Sequence, residues 1–336
     1  MSSVNTLKRI IGKLGPLLAL VLLIIILTIA TDGKFISASN IINIFRQTPI
    51  IALMGVGMLC VILLGGIDLS AGSMLAISIC VSGCVLKNLG ISSMFVLLPV
   101  CILTGIAAGT VNGLLLTKLH LPHPFIATLG TKNIYRGLAL LITGAAAISG
   151  FSAGVTWIGT ARVGSPQFNI PVSFIMTILL YAITHIFLTR TGLGRKIYSF
   201  GGNKEAARLA GINTDRVQIF CYAASGFFCA MAGIVYVGRL NSAVPLASLE
   251  GDLDAIAACI IGGASFLGGK GNVWGTLIGA IMIAVIRNGC DLMGVSSDLQ
   301  QIVIGAVIVL AVFVDVLRSK AEAKAKRLAI GKTQDA

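Results

Sequence analysis

The sequence predicts an all-α, polytopic membrane protein of about ten transmembrane helices, and three observations predict it. Residues of the set AVILMFWYC make up 56% of the 336, charged residues only 11%, and mean hydropathy is +0.97, whereas soluble domains carry about 25% charged residues. The apolar residues come in unbroken blocks such as 17–30, not in the alternation of a membrane barrel. The 40 glycines follow no collagen period and suit helices that approach closely in lipid.

Read between charges and Gly/Pro punctuation, the blocks give spans at about 14–30, 45–64, 70–86, 93–117, 125–143, 171–188, 217–237, 251–267, 273–287 and 299–317. The first follows Lys8, Arg9 and Lys13. It is too long for a signal peptide and has no small-residue cleavage site before Asp32, so it reads as an uncleaved span. The third, eighth and ninth are short, and short Gly-interrupted segments mark broken helices in transporters. With the N-terminus inside, seventeen Lys and Arg fall in inner segments and six in outer ones, while Lys132 and Arg136 fall inside span five. This is the bias that retains basic residues in the cytoplasm, and it accounts for the net charge of +13 with no nucleic-acid ligand. Residues 1–336 read as one transmembrane domain with both ends cytoplasmic. It has a basic cytoplasmic loop at 190–216, an outer loop at 144–170 that carries Phe151, Trp157 and Phe168, and a basic tail at 318–336.

The eight cysteines lie almost entirely in apolar blocks, with neither C-x-x-C nor histidine at ligand spacing. They read as small packing residues, and no metal site is expected. His120, His123 and His185 sit at predicted helix ends. No phosphate-binding, metalloprotease or nucleophile-elbow motif is present, so no catalytic residue is expected. The Gly-rich runs 64–77 (L-G-G-I-D-L-S-A-G-S-M-L-A-I) and 267–280 (L-G-G-K-G-N-V-W-G-T-L-I-G-A) align at a constant offset. A decayed internal repeat and chance in a Gly-rich chain both fit.

Charges within lipid are costly and ask for a reason. Lys132 and Arg136 share one helix face, either snorkelling to the inner interface or, with Thr128 and Asn133, lining a polar path. Asp68, with Ser70 beside it, either caps span three or lines the same path. Glu250, Asp252 and Asp254 read as a solvated acidic start to span eight, at its outer end, or as a docking point for a soluble partner. No chain of buried acids and histidines crosses the membrane, so no proton relay is expected.

The loop between spans six and seven is the most informative segment. Asn203 is placed to cap a short helix over 204–210, and Gly211 to stop it in a left-handed conformation. Four runs, G-G-I-D-L-S-A-G-S (65–73), F-I-A-T-L-G (125–130), G-R-K-I-Y-S-F-G-G-N-K-E-A-A-R-L-A-G (194–211) and L-D-A-I-A-A-C-I-I-G-G (253–263), stand in order. Through them the chain resembles, over nearly its whole length, the permease subunits of bacterial ABC monosaccharide importers. This is the branch of ribose, galactose and arabinose permeases, and residues 292–306 look closest to the ribose ones. One departure is Ala71-Gly72-Ser73, where relatives read V-G-S.

The resemblance implies a type II importer-like permease that pairs as a homodimer with two cytoplasmic ATPase subunits and a periplasmic sugar-binding protein. It would sit in the bacterial inner membrane and work by alternating access. ATP and Mg would bind the ATPase, with no cofactor on this chain. Gly201, Gly202, Asn203, Glu205, Ala206, Ala207, Arg208 and Gly211 would couple to the ATPase, and Asp68, Ser70, Thr128, Asn133 and Arg136 are candidates for the translocation path. A stand-alone secondary transporter or channel is the alternative.

Overall fold

The computed structural model describes residues 2–310 apart from 120, 122 and 166–168, together with 312, 313 and 316, and side chains from Gly15 onward. The tail at 318–336, Phe168, and the side chains of Lys8, Arg9 and Lys13 lie outside the described residues. Every predicted apolar block holds a helix. In chain order these are α1 (Ser2–Ala30), α2 (Ala38–Ile62), α3 (Ala71–Leu89), α4 (Met94–Lys118) and α5 (Pro124–Thr143). After the outer-loop helix α6 (Ala153–Thr160) come α7 (Val172–Arg190), α8 (Gly192–Gly202), α9 (Lys204–Leu209) and α10 (Thr214–Leu240). The last are α11 (Gly251–Ile261), α12 (Val273–Leu292) and α13 (Ser297–Leu310).

Among the described residues, six helices are long and apolar enough to cross a membrane: α2, α3, α4, α7, α10 and α12. The predicted eighth span, 251–267, is corrected: its helix stops at Ile261. Eleven residues rise about 16 Å, roughly half the hydrocarbon thickness. The stop has a local cause. Gly263 takes φ +89°, and a Cβ on Gly262 would collide with the Gly275 carbonyl, so the chain turns where α12 crosses it.

The centre of the bundle is built on missing side chains. Gly105, Gly109 and Gly113 stand one turn apart on α4, where a Cβ would run into the Gly226 carbonyl, the Tyr222 carbonyl and the Ile219 backbone of α10 in turn. Small residues at this spacing let two backbones touch, which is how helices gain packing energy without help from water. Around this seam α2 is buried along most of its length, and Tyr181 of α7 donates to the Ala52 carbonyl at 2.7 Å. The face of α4 away from the seam is exposed at Phe95, Leu103 and Val111, as are Ile126, Ile134 and Leu141 of α5. An outward apolar face on a buried polar-lined core suits a lipid surround.

Two small antiparallel pairs close the end of the bundle where α5 and α10 finish. Strand β1 (Ile148–Ser149) pairs with β4 (Ser242–Ala243), and β2 (Arg162–Gly164) with β3 (Asn169–Pro171). Phe151 is buried beneath them and Trp157 on α6 is exposed. The opposite end carries α8, α9 and the turns that follow α2 and α11.

Candidate functional site

The α8–α9 unit is specified locally. Thr191 caps α8 by accepting from the Gly194 amide at 3.0 Å. Asn203 both ends α8 and caps α9, accepting from the Ala206 amide at 2.9 Å. Gly211 takes φ +81° after α9, as its position predicts. Ile197 and Phe200 bury the inner face of α8, while on α9 only Ala207 points inward. Glu205, Ala206 and Arg208 are exposed, as are Gly202, Asn203 and Gly211. Arg208 Nη2 donates to Glu205 Oε2 at 2.9 Å along the open face. Leu209, beside that pair, is 83% exposed and was not among the sequence-predicted residues. Its signal is an apolar residue on the polar face of a capped helix.

The root of this unit meets the bundle backbone to backbone. A Cβ on Gly201 would collide with the Leu63 carbonyl and the Gly269 amide, which themselves bond at 2.9 Å. Leu63 ends α2 and Gly269 lies in the turn after α11, so α8 seats on both helix breaks at once. The aligned glycines Gly65 and Gly268 of those two turns share a left-handed conformation, at φ +75° and +82°, and stand in contact. Tyr198 adds a side-chain tie, donating to the Gly271 carbonyl at 3.0 Å. Burial pushes its phenol above the ordinary value. A cavity of about 190 Å³ opens beside this joint, lined by Gly65, Gly66, Phe200, Lys204, Gln218 and Tyr222 among others.

A second polar region lies deeper. After α2 the chain climbs back into the bundle, so that Asp68 meets Ser225, eleven residues along α10 and about 16 Å from its start. Asp68 Oδ1 accepts from the Ser70 amide at 3.0 Å and its hydroxyl at 2.6 Å, and Oδ2 accepts from the Ser225 hydroxyl at 2.9 Å. Asn112 donates to the Ser70 hydroxyl at 2.7 Å and accepts from Tyr135 at 3.3 Å. Asp68 therefore does not cap the first turn of α3 directly. It organises the segment before that helix and ties it to α4, α5 and α10. Thr128 donates to the Ile67 carbonyl at 3.2 Å on the same segment.

The start of α11 reaches this level too: a Cβ on Gly72 would strike the Ser248 carbonyl, with the Gly251 amide nearby. Here two expectations are corrected. Asp252 and Asp254 are buried, not solvated. Lys132 and Arg136 do not reach for the interface. Lys132 Nζ pairs with Asp252 Oδ2 at 2.7 Å, and Arg136 Nη1 donates to the carbonyls of Pro245 and Ala247 at 2.7 and 2.8 Å. Arg287 of α12 grips both oxygens of Asp254 at 2.8 Å. Burial of a carboxylate is tolerable only with such partners. The core of the bundle thus buries three acids, Asp68, Asp252 and Asp254. Of the five predicted path residues, the structure gathers Asp68, Ser70, Thr128 and Arg136 around the starts of α3 and α11, whereas Asn133 lies on the exposed face of α5. Lys132, Asp252, Asn112 and Tyr135 join them.

A family model described as the permease component of branched-chain amino acid transport systems matches residues 40–312, which takes in both helix breaks, α8 and α9. The chain belongs to this permease family. It is similar to the ribose import permease protein of Bacillus subtilis, 41% identical over 309 residues that cover 91% of this chain and 93% of that protein. The ribose import permease protein of Haemophilus influenzae is 39% identical over 300 residues, 89% and 91% of the two chains. The D-allose transport system permease protein of Escherichia coli is 37% identical over 309 residues, 92% and 93%. No solved structure matches the chain.

Proposed function

We propose that this chain is the membrane-spanning permease subunit of an ATP-driven ABC importer that carries a monosaccharide, ribose or a close relative, into the cytoplasm. The observation that carries the reading is identity of 39–41% across about nine-tenths of the chain to proteins named for ribose import. The subunit makes no bond. It pairs with a second copy in the bacterial inner membrane, with two ATPase subunits that hold ATP and Mg, and with a periplasmic sugar-binding protein. Ten crossings, with both termini cytoplasmic, follow when α1, α5 and α13 join the six long helices and α11 counts with the segment before it as one broken crossing.

In this reading α9 is the coupling helix. Its two caps and outward face support that role, and the seat of the adjoining α8 on both helix breaks gives closure of the ATPase dimer a route to the starts of α3 and α11. The partner must favour one arrangement over the other by differential binding. The stand-alone transporter is disfavoured because each of the buried acids is already held by a cation or by hydrogen-bond donors.

The test is ATP hydrolysis by the complex in nanodiscs, with its ATPase and binding protein, across a panel of pentoses and hexoses. Sugar-stimulated turnover is expected to fall about tenfold in Arg208→Glu and in Glu205→Arg, within the usual coupling range, with assembly intact. A panel in which no sugar stimulates, or variants that behave as the parent, would overturn the assignment.

A further inference from the structure

The clamp between α5 and the start of α11 leaves two polar atoms open. Asp252 is fully buried; its Oδ2 is held by Lys132, but its Oδ1 has no hydrogen-bond partner among the described residues. Arg136 uses Nη1 for two carbonyls, while its buried Nη2 has no hydrogen-bond partner among the described residues. Arg136 thereby holds residues 245 and 247 of the segment that leads into Asp252. Lys132 and Arg136 are one turn apart on α5, and both hold the short segment 245–252. The covering ion pair is only partly sheltered, with the Lys132 side chain 30% exposed.

Unsatisfied buried polar atoms are costly and call for an explanation. An open carboxylate oxygen and an open guanidinium N–H, held on one short segment and on the helix that grips it, match the hydroxyls of a polyol, one of which donates to the acid while the other accepts from the base. The place is also apt, because broken helices that start within the membrane form the substrate sites of several transporter folds.

We propose that the Lys132–Asp252 pair is the closed gate of a sugar-hydroxyl site. When α5 draws away from α11, Asp252 Oδ1 and Arg136 Nη2 bind neighbouring hydroxyls of the passing neutral sugar. This rests on the importer reading above and names the residues that would meet its cargo.

Loss of the gate alone and loss of the gate with the site differ in whether uptake survives, which makes the proposal testable. The permease, its ATPase and its binding protein are reconstituted in proteoliposomes with radiolabelled ribose, and sugar accumulated per ATP hydrolysed is measured. Asp252→Asn keeps the shape of the side chain but weakens the acceptor. It also removes the charge that latches Lys132, so it is expected to lower sugar moved per ATP about tenfold and to raise ATP hydrolysis without binding protein as Lys132→Met does. Lys132→Met keeps the site and removes the latch. It is expected to retain uptake and to raise ATP hydrolysis without binding protein about fivefold, both shifts lying in the usual coupling range. A merely structural bridge predicts that the two variants lose thermal stability, uptake and hydrolysis together, and that outcome overturns the proposal. So does an Asp252→Asn variant that transports like the parent. A parent complex that moves no ribose sinks the importer reading along with this site, whereas a transporting parent with indifferent variants sinks the site alone.

Discussion

Gly201 and Gly202 are adjacent and have opposite surroundings. A methyl group on Gly201 would enter the Leu63–Gly269 contact, whereas one on Gly202 would meet open space. Gly201→Ala is therefore expected to cost about 1–3 kcal/mol of packing and to reduce ATPase coupling, while Gly202→Ala stays near the parent in melting temperature. Equal behaviour of the two variants in a thermal melt would show that the joint is not close-packed. The cap at Asn203 and the stop at Gly211 were legible in the sequence because both are settled within a few residues. The partner of Asp252 was not. Lys132 lies 120 positions away, and an acidic run at a helix start looks the same in sequence whether the fold puts it in water or beside a lysine. A buried ion pair also makes a quantitative test of the packing. Arg287→Met leaves Asp254 uncompensated and is expected to cost about 3–5 kcal/mol, read as a lowered melting temperature. Its partial recovery in Asp254→Asn/Arg287→Met would confirm that the lost charge pairing is the cause.

At the scale of elements, the α4–α10 seam depends on the absence of side chains at three successive turns. Gly109→Leu would drive a branched side chain into the Tyr222 carbonyl, and the expected result is loss of folded protein in detergent, measured by size-exclusion chromatography. A variant that elutes and melts like the parent would show that the two backbones are not in contact. The helices themselves were readable as apolar blocks, and among the described residues six of the ten are long and apolar enough to cross a membrane. The plainest departure is α11. Residues 255–267 read A-I-A-A-C-I-I-G-G-A-S-F-L, apolar throughout, and composition alone cannot tell a crossing from a half-crossing. The Gly262–Gly263 pair was the available signal. Its meaning depends on α12 lying across it, which only the folded chain supplies.

At the scale of the whole molecule, the buried helices α2, α3, α10 and α12 are surrounded by others that turn apolar faces outward. Seven of the cysteines are buried and Cys84 is half-buried. A membrane-permeant maleimide is accordingly expected to modify Cys84 first in the native protein and the rest only after denaturation. Early labelling of Cys221 or Cys259, by mass spectrometry, would contradict the packing. The start of α3 and the start of α11 face each other within this shell, and each helix carries roughly half a positive charge at that end. Like poles brought together inside a low-dielectric medium push apart, and Asp68 and Asp252 are fully buried negative charges on the segments that begin the two helices. The core of the bundle is thus a compressed electrostatic spring held by two carboxylates. With both neutralised, in Asp68→Asn/Asp252→Asn, the amides around residues 70–73 and 251–254 are expected to exchange hydrogen faster with no partner or nucleotide present.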